Sequence, residues 1–134
     1  MSEKPKILFV CVENSCRSQM AEGFARLHAA GRVEAYSAGS RPSGKVNETA
    51  VLLMKEKGVD LGLHSSKGLG DLPGGKWAAV VTMGCGDACP SLPAERRADW
   101  ALPDPKHLPL EEFRRVRDEV EARVKVLLGD VIGA

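Results

Sequence analysis

Cys11 and Arg17 are separated by five residues, Val12, Glu13, Asn14, Ser15 and Cys16, and that spacing suits chemistry on an anion. The stretch opens as an apolar run, Ile7 to Val10, rich in strand formers. It ends in a polar turn that leads into a helix-like pattern from Ser18 onward. A loop between a buried strand and a helix gathers backbone N–H groups around one point, and the helix N-terminus adds about half a positive charge. A tetrahedral oxyanion fits such a nest. The loop from Val12 to Ser18 would hold that anion. Cys11 at its base lies in a field that favours the nucleophilic thiolate. Arg17 can fork onto two oxygens. Ser18 can hydrogen-bond the sulfur or cap the helix. Asn14 tolerates left-handed backbone and suits the loop. The competing reading is a small buried residue ending a strand, beside a solvated arginine.

Two more cysteines, Cys85 and Cys89, lie in Met83-Gly-Cys-Gly-Asp-Ala-Cys-Pro90 with three residues between them. A disulfide needs Cα atoms within about 7 Å, and a loop or helical turn can bring such a pair that close. A metal centre would draw its ligands from the 4 cysteines and 3 histidines. No Cys-x-x-Cys pair exists, and ligation would occupy Cys11, so no metal and no cofactor are expected. Two buried inert thiols are the plain alternative. Asp104, in Leu102-Pro-Asp-Pro105, can protonate an oxygen leaving group. Asp-Pro is also a common turn former. His28 falls on a helical stretch and reads as a core-edge residue, whereas His64 and His107 fall in loops.

The elements that must position these groups alternate in type. Ser18 to Ala30 reads as a first helix stopped by Gly31, and Val33 to Ala38 as a second strand. Asn47 caps a second helix running to Lys57. Leu61 to Gly75 is glycine-rich loop with room for a short helix. Lys76 to Met83 holds a third strand and Ala98 to Leu102 a fourth. Leu110 to Ile132 is the last helix, with Phe113, Val116, Val120, Val124, Leu127 and Leu128 in one stripe. Strands alternating with helices imply an α/β fold with a parallel sheet and helices on both sides. Ligands bind such sheets beyond the carboxyl ends of the strands. Cys11, Cys85 and Asp104 each follow a strand, so all three can reach one crevice.

The 134 residues suit a single domain, 1–134, with 43% hydrophobic and 28% charged residues. A net charge of +1 argues against a nucleic-acid surface. No apolar run approaches the roughly 20 residues of a membrane span. No signal peptide is visible, so the expected compartment is the reducing cytoplasm, where cysteines serve chemistry rather than a structural framework.

Cys11-x-x-Asn14-x-Cys16-Arg17-Ser18 between an apolar run and a helix resembles the low-molecular-weight phosphotyrosine phosphatase family. With Gln19-Met20-Ala21-Glu22-Gly23 following, it resembles within that family the thioredoxin-coupled arsenate reductases. The resemblance implies a three-layer sandwich around a four-stranded parallel sheet of order 2-1-3-4. It implies that Cys11 attacks arsenate, Cys85 resolves the adduct, Cys89 moves the disulfide outward, Asp104 is the general acid and thioredoxin is the electron donor. A low-molecular-weight thiol such as mycothiol is the alternative donor. Phosphate and sulfate would compete for the nest. Some members bind potassium through Asn, Glu, Ser and Asp; Asn14, Glu22 and Ser37 match, and Lys67 falls at the fourth position. The tyrosine pair after the Asp-Pro of tyrosine phosphatases is replaced by Lys106-His107, and Tyr36 is the only tyrosine. A phosphomonoesterase and a non-catalytic oxyanion-binding module are the rival readings.

Cys11 is expected to alkylate faster than the other cysteines of the reduced chain, and arsenate, phosphate or sulfate to slow it. Peptide mapping after brief iodoacetamide treatment checks this. Equal labelling of all 4 thiols, indifferent to oxyanion, contradicts it.

Overall fold

The computed structural model describes residues 4–84 and 92–133, leaving out the side chain of Leu63. Four strands, β1 (Lys6–Cys11), β2 (Glu34–Gly39), β3 (Trp77–Thr82) and β4 (Ala94–Asp99), form one sheet of order β2-β1-β3-β4. All three pairings are parallel, with Cys11 opposite Gly39 and Val10 opposite Thr82. The helices are α1 (Arg17–Ala29), α2 (Glu48–Lys55) and α3 (Leu110–Ile132), with 3-10 turns at Leu61–Leu63, Leu69–Asp71 and Pro105–His107.

β1 is buried on both faces, which is why its sequence runs apolar without alternation. Ile7 and Phe9 face a large core shared with α1, α2 and α3. Leu8 and Val10 face a smaller cluster with Trp77 and Val80, closed by Leu69, Leu72 and Leu92. Among the described residues the three α-helices all pack on one face, together with Leu61 and Leu108, and on the other face, where helices were also expected, lie Leu69, Leu72 and Leu92. Burying a side chain such as Phe9 contributes about 1.5–3 kcal/mol. Phe9 also meets Trp100 with ring centroids 5.9 Å apart. The six stripe residues of α3 are all buried, as their spacing requires.

β4 differs from the sequence expectation of Ala98–Leu102: it begins at Ala94 and ends at Asp99. Its sequence, Ala-Glu-Arg-Arg-Ala-Asp, is almost wholly exposed because it forms the sheet edge, so hydrophobic patterning could not reveal it. Asn47 caps α2 as expected, its Oδ1 accepting from the Ala50 N–H at 3.0 Å. No helix among the described residues is long and apolar enough to cross a membrane.

α3 is tied to α2 by charge. Arg117, 6% exposed, donates to the Leu53 carbonyl at 3.0 Å and to Glu56. Arg114 donates to the same carboxylate at 2.9 Å. Hydrogen bonds from Arg114 and Arg117 hold the Glu56 carboxyl down to about 2. A carboxyl with a depressed folded value stabilises above its unfolded value of 4.5 and loses that contribution as pH falls toward about 2. Glu56→Gln is therefore expected to be less stable than the parent at neutral pH, with the difference closing between about pH 4.5 and 2. Urea unfolding across that range checks it; a difference independent of pH contradicts it.

Candidate active site

The loop between β1 and α1 is held by its carbonyls. Those of Cys11, Val12, Glu13 and Ser15 accept from the N–H groups of Ser40 (3.3 Å), Arg41 (2.8 Å), Ser43 (3.0 Å) and Asn47 (3.0 Å). Turning the carbonyls toward residues 40–47 leaves the amides on the other side. Among the described residues, no hydrogen bond uses the backbone N–H of residues 12–16. This is the geometry of an anion nest.

Asn14 makes the turn at φ 52, in the left-handed region that asparagine tolerates. Its Oδ1 accepts from the Lys67 N–H and from Gln19 Nε2, both at 2.9 Å. Its Nδ2 donates to Ser18 Oγ at 2.8 Å. Ser18 Oγ, accepting that hydrogen bond, still has its own hydrogen to donate, and it lies 2.9 Å from Cys11 Sγ. The cap of α1 falls at Cys16, whose side chain makes no capping bond. Ser18 therefore serves the sulfur rather than the helix end.

Arg17 is 7% exposed. Its Nη1 donates to the Leu102 carbonyl at 3.1 Å, and its Nη2 stands 3.8 Å from Asp104 Oδ2. Its buried Nε has no acceptor among the described residues. Cys11, Glu13, Ser15, Cys16, Arg17 and Asp104 line one cavity of about 10 Å³. Asp104 Oδ1 accepts from the Lys106 N–H at 3.1 Å, which fixes the turn that presents the carboxyl. Burial pushes the Cys16 thiol up to about 12, so it stays protonated beside the cavity. Cys85 and Cys89 lie outside the described residues.

Several supporting residues were missed or only partly read from sequence. Gly39 lets the end of β2 approach the loop: a Cβ there would stand 2.6 Å from the Val12 carbonyl and 2.9 Å from the Asn14 nitrogen. Gly84, at φ +79, lies where a Cβ would come 2.9 Å from Arg17 Nη1. Their signals were a glycine at the end of β2 and another two residues beyond β3. Gln19 bridges Asn14 to Ser65 and His64 from inside α1. Lys67, noted in sequence at a family cation position, places its ammonium 3.4 Å from Ser37 Oγ and 3.6 Å from Glu22 Oε1. His28, read as a core-edge residue, hydrogen-bonds Glu121 at 2.8 Å.

Residues 6–133 match the family model of low molecular weight phosphotyrosine protein phosphatases. The chain belongs to that family. Among family relatives, a glutaredoxin arsenate reductase of Synechocystis sp. is 39% identical over 129 residues, 94% of this chain and 98% of its own length. A solved arsenate reductase in a phosphate-binding state superposes with a TM-score of 0.84 at 38% identity, covering 95% of this chain and 98% of its own. A thioredoxin-dependent arsenate reductase of Corynebacterium glutamicum superposes with a TM-score of 0.79 at 30% identity, over 97% of this chain and 63% of its own. The order β2-β1-β3-β4 and the loop following the first strand are what the sequence resemblance implied for this phosphatase family.

Gly39→Ala is expected to cost about 1–3 kcal/mol, because the new methyl must displace backbone. It is also expected to weaken phosphate protection of Cys11, since the displaced backbone belongs to the nest. Urea unfolding with and without phosphate, together with alkylation, checks both. A variant as stable and as well protected as the parent contradicts the close approach.

Proposed function

We propose that this protein is an arsenate reductase. The observation that supports it most is the pairing of unspent donors with a nucleophile. The amides of residues 12–16 and the Nε of Arg17 have no acceptor among the described residues, and Glu13, Ser15, Cys16 and Arg17 line one cavity with Cys11. A tetrahedral oxyanion with several acceptor oxygens satisfies such a set. The arsenate reductases among its relatives support arsenate as that oxyanion.

The chemistry can be derived from the residues. The Cys11 thiolate, held by the Ser18 hydroxyl, attacks arsenic(V). Asp104 gives a proton to the departing oxygen, which leaves as water. Cys85 then attacks the Cys11 sulfur. The arsenic–sulfur electron pair passes to arsenic, which leaves as arsenite, and a Cys11–Cys85 disulfide remains. Cys89 attacks Cys85, frees the Cys11 thiolate and leaves a Cys85–Cys89 disulfide. Two electrons have moved from two thiols to arsenic. Cys16, held protonated, takes no part.

A dithiol donor suits the final disulfide, because one partner can attack it and then resolve the mixed disulfide itself. Thioredoxin is the donor of this reading, with glutaredoxin or a low-molecular-weight thiol as alternatives. The free thiols fit a reducing cytoplasm. Phosphomonoester hydrolysis is the second reading, favoured by Asp104 on the wall of the same cavity. Phosphatase chemistry needs Cys11 but neither Cys85 nor Cys89, because water completes its cycle.

Cys89→Ser is the deciding variant. With arsenate it is expected to release about one arsenite per chain and stop, with Cys11 and Cys85 joined. Peptide mapping under non-reducing conditions reads the disulfide. Full turnover on thioredoxin alone would refute the order, and a trapped Cys11–Cys16 pair would make Cys16 a participant. Hydrolysis of an aryl phosphate by Cys85→Ala, without arsenite release by the parent, would favour the phosphatase.

A further inference from the structure

Beside the nest lies a second, larger hollow of about 370 Å³, lined among others by Val46, Asn47, Thr49 and Lys45. Glu13 and Ser15 border both spaces. Glu13 at that border is ion-paired to Lys106, which also lines the hollow. Lys106 Nζ lies 3.0 Å from Glu13 Oε1 and 3.2 Å from Oε2, so one ammonium takes both oxygens. Glu13 comes from the oxyanion loop, and Lys106 follows Asp104 by two residues. The pair therefore joins the nest to the turn that carries the general acid of the proposed reaction, and it stands at the border with the hollow. A hydrogen bond and the charge of the Glu13 carboxylate raise the Lys106 ammonium above its ordinary value.

Resting on the arsenate reductase reading, we propose that the Glu13–Lys106 pair is a specificity element that admits a free tetrahedral oxyanion to the nest and excludes phosphomonoesters. A free oxyanion needs room only for its oxygens. A phosphomonoester carries an organic group on one of them, and that group needs space beside the nest. The adjoining hollow is that space, and the pair walls it off. Among the described residues its lining holds no aromatic ring to stack on a phenyl group. Discrimination comes from an element placed against the wrong ligand rather than from a tighter grip on the right one.

The pair is a poor candidate for a purely structural role. Its side chains are 35% and 40% exposed, and exposed pairs contribute about 0.2–1 kcal/mol. The backbone of Glu13 is held independently of its side chain, its carbonyl accepting from the Ser43 N–H at 3.0 Å and Ser66 Oγ at 2.9 Å. Truncating the side chain removes the wall while those two bonds keep the loop.

Protection of Cys11 from iodoacetamide tests the proposal without any turnover. The probes are inorganic phosphate and phenyl phosphate, with the parent, Glu13→Ala and the double variant Glu13→Ala/Lys106→Ala. In the parent, phosphate is expected to protect at least tenfold more tightly than phenyl phosphate. In both variants that ratio is expected to fall at least fivefold, through a gain for phenyl phosphate. Glu13→Gln, which keeps the bulk and loses the charge, is expected to retain more of the ratio than Glu13→Ala. Equal protection by both probes in the parent, or a ratio unmoved by truncation, overturns the proposal while leaving the nest in place. Failure of inorganic phosphate to protect the parent overturns the nest and the filter together.

Discussion

The side chain of Asn14 is spent in both directions. Its Oδ1 accepts hydrogen bonds from the Lys67 backbone N–H and Gln19 Nε2, and its Nδ2 donates one to Ser18 Oγ. With the oxygen so engaged, the amide can point only at Ser18, and the Ser18 proton is left for the Cys11 sulfur. The same residue bends the backbone through a left-handed turn, while the N–H groups of residues 40–47 hold the loop carbonyls. The proposed anion nest and the proposed nucleophile thus share one support. A hydrophobic replacement at this position would break both, although the residue belongs to neither reacting partner.

Behind Asn14 stands a second layer of polar contacts that would be costly if incomplete. Glu22 is 3% exposed, and a buried carboxylate must be paired. Ser37 donates to it at 2.6 Å, Arg26 at 2.9 Å, and Lys67 stands 3.6 Å away. His64 lies 3.6 Å from the same carboxylate, yet burial outweighs that attraction and lowers its affinity for a proton. A neutral imidazole can then share a hydrogen bond with Gln19 Oε1 at 3.0 Å, which keeps the Gln19 amide nitrogen toward Asn14. The chain supplies with Lys67 a positive charge at the position where the resemblance placed a bound cation.

Legibility in the sequence depends on locality. Residues 6–18 were readable because strand, loop and helix start are consecutive and each has its own chemical signature. Asp104 lines the cavity of Cys11 as expected, although its strand ends at Asp99 rather than Leu102, so the segment from Trp100 to Pro103 rather than the strand end itself carries it there. β4 was placed four residues late because a charged edge strand carries no hydrophobic alternation. The partners of His64, the closeness of Gly39 to the loop and the reach of Lys106 to Glu13 depend on contacts across the fold. No local pattern encodes such contacts. Lys67 was an intermediate case: its position was noticed, but only the packing of residues 61–75 shows its ammonium turned toward Glu22.

β4 also bears on how the protein behaves in company. It is an outer strand, and an outer strand offers its unpaired backbone to any other strand that can lie beside it. Its six residues are Ala94, Glu95, Arg96, Arg97, Ala98 and Asp99. If two copies met edge to edge about a twofold axis through the middle of the strand, Arg96 of one would lie directly opposite Arg97 of the other, twice over. Like charges in facing positions destabilise a strand pair. The arginines that hid this strand from hydrophobic patterning therefore also guard it, making crowding and concentration less able to turn a folded sheet into the seed of an aggregate.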